Sequence, residues 1–420
     1  MSRHEIALPV RQKFFSTGTK IMFAVMVTGL AAYLYRLLAG LGAVTNLTQQ
    51  YPWGIWIAVD VASGVALAAG GFTTAALADI FHKEKYHGIT RPALLTAMLG
   101  YTFVVIGLLA DLGRYYNVWH PMLPSMWQGD SVLFEVGICV MFYLTVLYIE
   151  FLPIVVERFK NHVNLPGVLS RLNRMTESFL EIADRTLHRF ISVFIIAGVV
   201  LSCLHQSSLG TLMVIAPTKM HPIWYTPILP LLFLLSAIAV GFPMVIFESL
   251  LASRSFKLEP ELPLLASIAR YTPVLLGVYL AVKVGDLTIR EAWPAVFAFS
   301  AQSVMFLIEI SIGVLAPIII LSITRFRRSV TGLFTAASMV IGGVVLNRIN
   351  VFLVAYKPLY ADKPYFPSLM EIMVTLGLVA ALVLLYRLLV INFPVLSVTV
   401  DDGDDDSPTV PVSSRRTEVG

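Results

Sequence analysis

Ten apolar stretches, separated by shorter polar segments, follow one another along the chain. A helix needs about 20 apolar residues to cross the hydrocarbon core of a bilayer, so each stretch predicts one transmembrane helix. The predicted helices cover residues 20–42, 53–81, 92–116, 131–157, 188–212, 228–253, 262–285, 292–325, 330–355 and 368–390. The pattern therefore predicts an all-α, polytopic membrane protein.

The longest polar interruption, from Glu157 to Thr186, divides this array into two halves. Within it, the mixed apolar and charged spacing from Val168 to Asp184 predicts a surface helix. The acidic run near the C-terminus, followed by Pro, Ser and Thr, is typical of a disordered tail. The expected segments are a tail at 1–19, a membrane half at 20–165, a cytoplasmic connection at 166–187, a second half at 188–390 and an acidic tail at 391–420.

The composition agrees with a membrane protein and excludes some other classes of protein and site. Hydrophobic residues make up 57% of the chain, charged residues 13%, and the mean hydropathy is +0.79, which excludes a water-soluble domain. The two cysteines, Cys139 and Cys203, lie inside apolar stretches and are too few to hold an iron–sulfur cluster. The basic segment Met1–Lys20 has no small-residue cleavage site, so we expect a retained cytoplasmic tail rather than a signal peptide.

The distribution of Lys and Arg predicts the orientation. With the N-terminus inside, about 22 of the 30 basic residues fall on the cytoplasmic side. An even number of helices returns the C-terminus to the same side. We therefore expect both termini in the cytoplasm.

Ionisable residues inside apolar stretches are the candidate functional residues, because a charge in the centre of a spanning helix costs roughly 2.5–3.5 kcal/mol. At 1.5 Å per residue, Asp60, His205 and Arg348 all lie about 10 Å from the outer ends of their helices. Asp111 and Arg114 have i,i+3 spacing at the outer end of the third helix, and His120 follows in the loop. The sequence thus predicts that an acidic, a basic and a cationic side chain lie at one depth in the membrane.

Each of these residues also has a structural alternative. Asp111 and Arg114 could form only a helix-end ion pair, and Asp60 could be the ion-pair partner of Arg348. His205 could be a satisfied core histidine, and His120 could belong to an interfacial belt beside Pro and Trp.

Four stretches of the sequence resemble the NrfD/PsrC family of quinone-interacting membrane subunits: Tyr51–Asp60, Leu109–Arg114 running to Trp119–Pro121, Leu204–Gly210, and Leu346–Asn350. Ten helices place the chain with the longer members, which include membrane subunits of a periplasmic hydrogenase, of alternative complex III and of a menaquinone reductase. The last of these is the one it resembles most.

The resemblance implies two four-helix bundles, with the first and tenth helices flanking them, in the bacterial cytoplasmic membrane. It implies a quinone site in the periplasmic leaflet that contains Asp60, His120, His205 and Arg348, with Asp111 and Arg114 nearby. The substrate would be a quinone such as menaquinone, with no haem or iron–sulfur cluster held by this chain and no metal site. The expected partners are a periplasmic ferredoxin-like iron–sulfur subunit, a multihaem cytochrome c and a molybdopterin-family-like subunit, with lipid around the chain and no nucleic acid.

Quinone reduction adds two electrons and two protons, so a site needs hydrogen-bond donors, a proton-exchanging group and positive potential. We assign a carbonyl hydrogen bond to His205 or His120, proton exchange to Asp60, and charge stabilisation to Arg348. Four further carboxylates inside the apolar stretches are candidates for a proton relay: Glu135, Glu150, Glu248 and Glu309. Glu309 could instead be a protonated packing residue.

Two other classes of protein fit the sequence less well. A b-type cytochrome needs paired axial histidines, and only His205 lies well inside a predicted helix. A secondary transporter usually binds its substrate near the bilayer midplane at broken helices, which Pro243, Pro273 and Pro317 would allow.

Overall fold

The computed structural model describes residues 4–10, 12–81, 83–160, 173–361 and 363–400 of the 420-residue chain. In this part, ten helices are long and apolar enough to cross a membrane, as the sequence predicts. We number them span 1 to span 10: Thr17–Ala39, Ile55–Ile80, His87–Asp111, Val132–Phe159, Arg189–Val214, Leu229–Phe256, Leu262–Ile289, Ala301–Ser322, Val330–Val354 and Leu369–Asn392. Span 8 differs most from its predicted range, because the Ser300 hydroxyl caps its first turn and Trp293–Val296 forms a separate short helix.

Several spans change helix type along their length. In span 8, Pro317 follows a π-helical turn at Ser311–Leu315, where the regular α-helical hydrogen bonding is interrupted. Span 2 joins Ile55–Leu67, Ala69–Ala75 and the π-turn Ala76–Ile80, span 7 joins Leu262–Ala269 and Thr272–Ile289, and span 9 joins Val330–Ile349 and the π-turn Asn350–Val354. Short helical turns outside the spans are Leu41–Ala43, Glu84–Tyr86, Tyr115–Asn117, His120–Met122, Pro124–Met126, Pro217–Lys219 and Thr324–Arg327.

The connection between the halves and the two ends of the chain adopt regular structure. Span 5 is the second part of one helix, Asn173–Val214, so residues 173–184 of the predicted surface helix continue directly into it. The strand β1, His4–Ala7, pairs antiparallel with β2, Ser397–Val400. The first residues of the predicted acidic tail therefore complete span 10 and form a strand, while residues 161–172 and 401–420 lie outside the described part.

The spans pack as two bundles, as the resemblance implied. Spans 2 to 5 form one bundle and spans 6 to 9 the other. The bundles meet where span 2 contacts spans 6 and 9 and where span 5 contacts span 6. Span 1 packs along span 10, which in turn packs on span 3. Spans 1 and 10 cross at Gly29 and Gly377, where a Cβ on either glycine would overlap the other backbone.

The connections differ between the two ends of the molecule. We call one end the long-loop end, because it carries the connections 40–54, 112–131, 215–228, 290–300 and 355–368. The opposite end carries the two-stranded ribbon and the connections 81–86, 257–261 and 323–329. The long-loop end is the one that the sequence predicts to be periplasmic.

Candidate functional site

Three carboxylates from three spans approach one another at the long-loop end. Asp60 of span 2 is close enough to Asp111 of span 3 for their charges to interact, and Asp111 in turn interacts with Glu371 of span 10. Arg36 of span 1 is the cation that interacts with Asp111. We call Arg36, Asp60, Asp111 and Glu371 the acidic cluster.

Asp60 is half-buried and receives a hydrogen bond from span 10. The Thr375 hydroxyl donates to Asp60 Oδ2 at 2.5 Å, and the indole N–H of Trp56 donates to the same Thr375 oxygen at 3.3 Å. Thr375 is the one hydrogen-bond donor to Asp60 in the described part of the chain. This arrangement fixes one carboxylate oxygen and leaves the other free to bind a further group.

Asp111 is buried at the end of span 3 and is held by the turn that begins span 2. The backbone N–H of Gly54, whose φ of 97° suits glycine, donates to Asp111 Oδ2. Among the described residues, Asp111 Oδ1 has no hydrogen-bond partner. Arg36 donates to the Leu112 carbonyl oxygen, so its guanidinium group lies beside this carboxylate.

Glu371 is buried and belongs to the capping box at the start of span 10. The Ser368 hydroxyl accepts from the Glu371 N–H at 3.1 Å, and Glu371 Oε2 accepts from the Ser368 N–H at 2.5 Å. The Tyr365 hydroxyl donates to Glu371 Oε1 at 2.5 Å. Burial, together with the nearby carboxylates, raises the pKa of Tyr365, so its phenol remains protonated.

Tyrosine rings lie beside the acidic cluster. The ring of Tyr51 stacks on that of Tyr365 with centroids 5.7 Å apart and meets the edge of Tyr356 at 5.8 Å. Tyr51 and Tyr356 are buried. Together these rings form an aromatic surface, which we call the tyrosine surface, next to titratable groups.

Two predicted site residues at this end lie outside the acidic cluster. Arg114 is exposed, and it forms none of the ion pairs found among the described residues, so the alternative of a pair with Asp111 is not realised. The helix ends at Asp111, and the i,i+3 geometry therefore does not extend to Arg114. His120 is half-buried in the loop, where its ring packs against that of Trp119 at 4.4 Å.

His205 lies in the core of the first bundle. Its buried ring is 5.4 Å from that of Tyr101 on span 3, and in the described structure neither ring nitrogen has a hydrogen-bond partner. The adjacent Gln206 donates to the Val65 carbonyl oxygen of span 2 at 2.7 Å. The side chains of Ser63, Tyr101 and Ser202 also have buried, unpartnered oxygens. Unpaired buried polar atoms are costly, and the sites of such atoms are commonly hydrated.

Arg348 belongs to a different cluster, inside the second bundle. It donates to Asn347 Oδ1 at 2.7 Å and to the Ser236 hydroxyl at 2.9 Å, and its guanidinium carbon lies 3.7 Å from the Phe233 ring centre. An ion pair between Asp60 and Arg348 is therefore not formed. Equal depth along two helices did not place the side chains together, because each faces a different bundle.

Glu309 shares this second cluster. Its carboxylate accepts hydrogen bonds from Asn350 at 2.7 Å, Asn347 at 2.8 Å and the Trp224 indole at 3.1 Å. The charge of the buried Lys283 also interacts with Glu309. Since all three partners are N–H donors, the contacts suit an ionised carboxylate rather than a protonated packing residue.

The other predicted relay carboxylates lie at separate levels. Glu135 accepts from the Ser208 hydroxyl at 2.5 Å at the long-loop end. Glu150 contacts Gly198 of span 5 and interacts with Asp79. Glu248 adjoins Tyr386 and lines a cavity of about 60 Å³ at the opposite end, together with Ser249, Ser253, Glu259 and Glu261.

The sequence reasoning missed the contribution of the flanking spans. Arg36 and Thr375 were available as polar residues within apolar helices, and Glu371 was available as the third residue after Ser368 in a capping box. Their proximity to Asp60 depends on which helices are neighbours. In the described structure, no group of three His, Cys, Asp or Glu side chains is placed to hold a metal ion.

Comparison with known proteins identifies the family. Residues 43–358 match the family Polysulphide reductase, NrfD. The chain belongs to the NrfD family. It is 37% identical over 395 residues to a protein of Nitratidesulfovibrio vulgaris, covering 92% of this chain and 96% of that one.

Two named relatives indicate the kind of complex in which the family works. The probable Ni/Fe-hydrogenase 2 b-type cytochrome subunit of Escherichia coli is 33% identical over 392 residues, covering 92% of this chain and 94% of the relative. The menaquinone reductase integral membrane subunit of Nitratidesulfovibrio vulgaris is 30% identical over 217 residues, covering 48% of this chain and 47% of the relative. Such relatives support a membrane subunit of an oxidoreductase complex.

Proposed function

We propose that this chain binds a quinone, menaquinone in particular, at the acidic cluster and exchanges electrons with an iron–sulfur subunit docked on the long-loop end. The observation that carries the proposal is the acidic cluster itself, in which three carboxylates and one arginine from four spans lie beside a tyrosine surface. One relative is named as a menaquinone reductase subunit, which supports the choice of quinone.

Asp60, Arg36 and the neighbouring Tyr51 each suit one requirement of quinone chemistry. The free oxygen of Asp60 exchanges a proton with the quinone oxygen, while Thr375 holds the other carboxylate oxygen. Arg36 supplies the positive potential that we first assigned to Arg348, because Arg36 is the cation beside Asp111. The ring of Tyr51 offers a stacking surface for the quinone ring.

His205 is proposed to connect this site with the interior of the first bundle. Its two unpartnered ring nitrogens, with the unpartnered hydroxyl oxygens of Ser63 and Ser202 in the same bundle, would form a polar path between apolar helices. A buried imidazole that can accept and donate protons suits such a path. Glu150 and Glu248 would continue it toward the opposite end, where the cavity beside Glu248 gives access.

We propose that this path makes turnover electrogenic, with electrons from the periplasmic side and protons from the cytoplasm. The orientation rests on the excess of Lys and Arg at the opposite end. The complex would lie in the bacterial cytoplasmic membrane, with a multihaem cytochrome c and a molybdopterin-family-like protein as further subunits.

The test is to purify the complex, identify its subunits and measure quinone-linked electron transfer. Arg36→Gln should lower turnover at least about tenfold, since it removes the positive charge of the cluster, while Arg114→Gln at the exposed loop serves as the matched control. Equal turnover in both variants would remove the acidic cluster from the proposal. A nickel hydrogenase among the subunits would favour the hydrogenase type of complex, and a cytochrome c would favour the menaquinone reductase type.

A haem-binding role is the second candidate, since one relative is named as a b-type cytochrome subunit. His205 is the one described histidine side chain that is buried inside a span. Bis-histidine ligation needs a facing partner, so we propose that the chain holds no haem. An absorption spectrum of the purified chain with a haem band that disappears in His205→Ala would support the haem role.

A further inference from the structure

A basic groove lies at the opposite end of the second bundle, between the start of span 7 and the turn that joins spans 8 and 9. Its cavity is about 510 Å³ in volume. Leu262 and Ala266 line an apolar side, while Ser267, Arg270, Arg327 and Arg328 line a polar side. The groove thus combines three guanidinium groups with an apolar surface at the end of the helices.

Within the described part of the chain, no carboxylate pairs with the three arginines. None of the ion pairs between described residues includes them. Arg270 donates to the carbonyl and hydroxyl oxygens of Ser267 at 3.0 and 3.2 Å, and Arg327 donates to the Leu321 carbonyl at 2.8 Å. Arg328 is exposed, and its guanidinium group forms no hydrogen bond with other described residues. Converging like charges repel, so an anion bound between them would be stabilised.

A fourth cation, Lys85, lies beside the groove through a hydrogen bond to Ser267. The Ser267 hydroxyl oxygen accepts from Lys85 Nζ at 3.0 Å and lies 2.8 Å from the Tyr86 hydroxyl. Burial raises the pKa of Tyr86, but hydrogen bonds with Ser267, Lys85 and Arg270 outweigh it and lower this pKa to about 8. A lowered pKa of Tyr86 agrees with a positive electrostatic potential around the groove.

The turn that carries two of the arginines has a fixed conformation. The Ser329 hydroxyl accepts from the Gly332 N–H at 3.0 Å and donates to the Phe326 carbonyl at 3.0 Å. A Cβ at Gly332 would overlap that same carbonyl oxygen, so the close approach requires glycine. Arg327 and Arg328 are therefore held at the rim of the groove.

The position of the groove identifies the kind of anion. Helix ends lie at the level of lipid headgroups, and Ile323 and Phe326 on the same turn expose apolar side chains. We propose that the groove binds the phosphate headgroup of an anionic phospholipid, with an acyl chain along Leu262 and Ala266. Arginine forks hydrogen-bond phosphate oxygens in pairs, and basic pockets between spans at the cytoplasmic side bind such lipids.

The test measures lipid binding to the purified full chain, in whatever complex it forms, by native mass spectrometry. The probes are phosphatidylglycerol, phosphatidylcholine and inorganic phosphate. We expect phosphatidylglycerol to bind preferentially, and the double variant Arg270→Gln with Arg328→Gln to weaken it about fivefold for each arginine. Arg254→Gln, an exposed arginine at the same end that does not line the groove, should bind as the unmodified chain does.

Three results would overturn the proposal. Equal binding of phosphatidylcholine would remove the requirement for an anionic headgroup. Complete competition by inorganic phosphate at equal concentration would show an anion site with no lipid selectivity. An equal loss of phosphatidylglycerol binding in Arg254→Gln would indicate an effect of general surface charge. Arg328→Gln alone is a further variant, since the arginine side chain forms no hydrogen bond with other described residues.

Discussion

Asp60 combines a fixed oxygen with a free one, which suits a group that takes up and releases a proton. The Thr375 hydroxyl positions Oδ2, while span 2 holds the carboxyl group between apolar neighbours. A carboxyl group that is only half-buried can exchange protons with a bound substrate without unfolding its surroundings. The residue therefore differs from Glu309, whose oxygens are both occupied by N–H donors.

Asp60→Asn should leave the complex assembled and lower quinone-linked turnover by about 10² or more, since the amide keeps the volume and cannot exchange a proton. Subunit composition and electron transfer are measured in one preparation. Asp130→Asn, an exposed carboxylate in a loop at the same end, is the matched control. Near-normal turnover of Asp60→Asn would exclude proton exchange at this residue.

Glu309→Gln should destabilise the second bundle by about 1–3 kcal/mol, because the new amide places N–H groups opposite existing N–H donors. The thermal unfolding midpoint should fall, whereas inhibitor binding at the acidic cluster should be unchanged. Loss of charge movement per electron, with an unchanged midpoint, would instead favour the relay role that the sequence predicts.

At the scale of whole helices, spans 1 and 10 are parts of the site rather than only flanking helices. Span 1 brings Arg36, and span 10 brings Glu371 and Thr375, to residues of the first bundle. Their shared crossing at Gly29 and Gly377 sets how closely the two helices approach. Helix packing therefore determines the composition of the acidic cluster.

Gly377→Ala should separate spans 1 and 10, because the added methyl group overlaps the Gly29 backbone. We expect a destabilisation of about 1–3 kcal/mol and a parallel loss of turnover as Arg36 and Thr375 shift. Gly277→Ala is the matched control, since a Cβ there has open space around it. Full turnover in Gly377→Ala would mean that this crossing does not position the site.

At the scale of the whole molecule, the two ends have different chemistry. The long-loop end carries the acidic cluster and the tyrosine surface, whereas the opposite end carries the basic groove and the cavity beside Glu248. In the first bundle between them, His205, Ser63 and Ser202 carry buried side-chain atoms that have no hydrogen-bond partner in the described structure. The charge-moving reaction that we propose would use both ends.

Glu248→Gln tests the connection between the ends. In liposomes that contain the complex, we expect the membrane potential generated per electron to fall, while inhibitor binding at the acidic cluster stays the same. Glu157→Gln, a half-exposed carboxylate at the opposite end, is the control. If potential and turnover both match the unmodified protein, protons reach the quinone by another route.

Local features of the sequence are enough to predict the ten spans and the residues that are costly in lipid. These follow from local properties, because a run of apolar residues long enough to cross a bilayer must form a helix to satisfy its backbone hydrogen bonds. Asp60 and Asp111, two residues of the acidic cluster, were found in this way. The resemblance to a known family supplied the two-bundle arrangement, which the packing of the spans confirms.

Which polar residues meet depends on how the helices pack in three dimensions. Depth along a helix is a property of the sequence, whereas the direction that a side chain faces depends on rotation and on neighbouring helices. Arg348 matches Asp60 in depth but contacts Ser236 and Asn347 in the second bundle, and Arg36 reaches Asp111 from a span far away in sequence. Contacts between distant segments depend on how the helices pack, and the hydrophobic pattern of each helix alone does not contain that information.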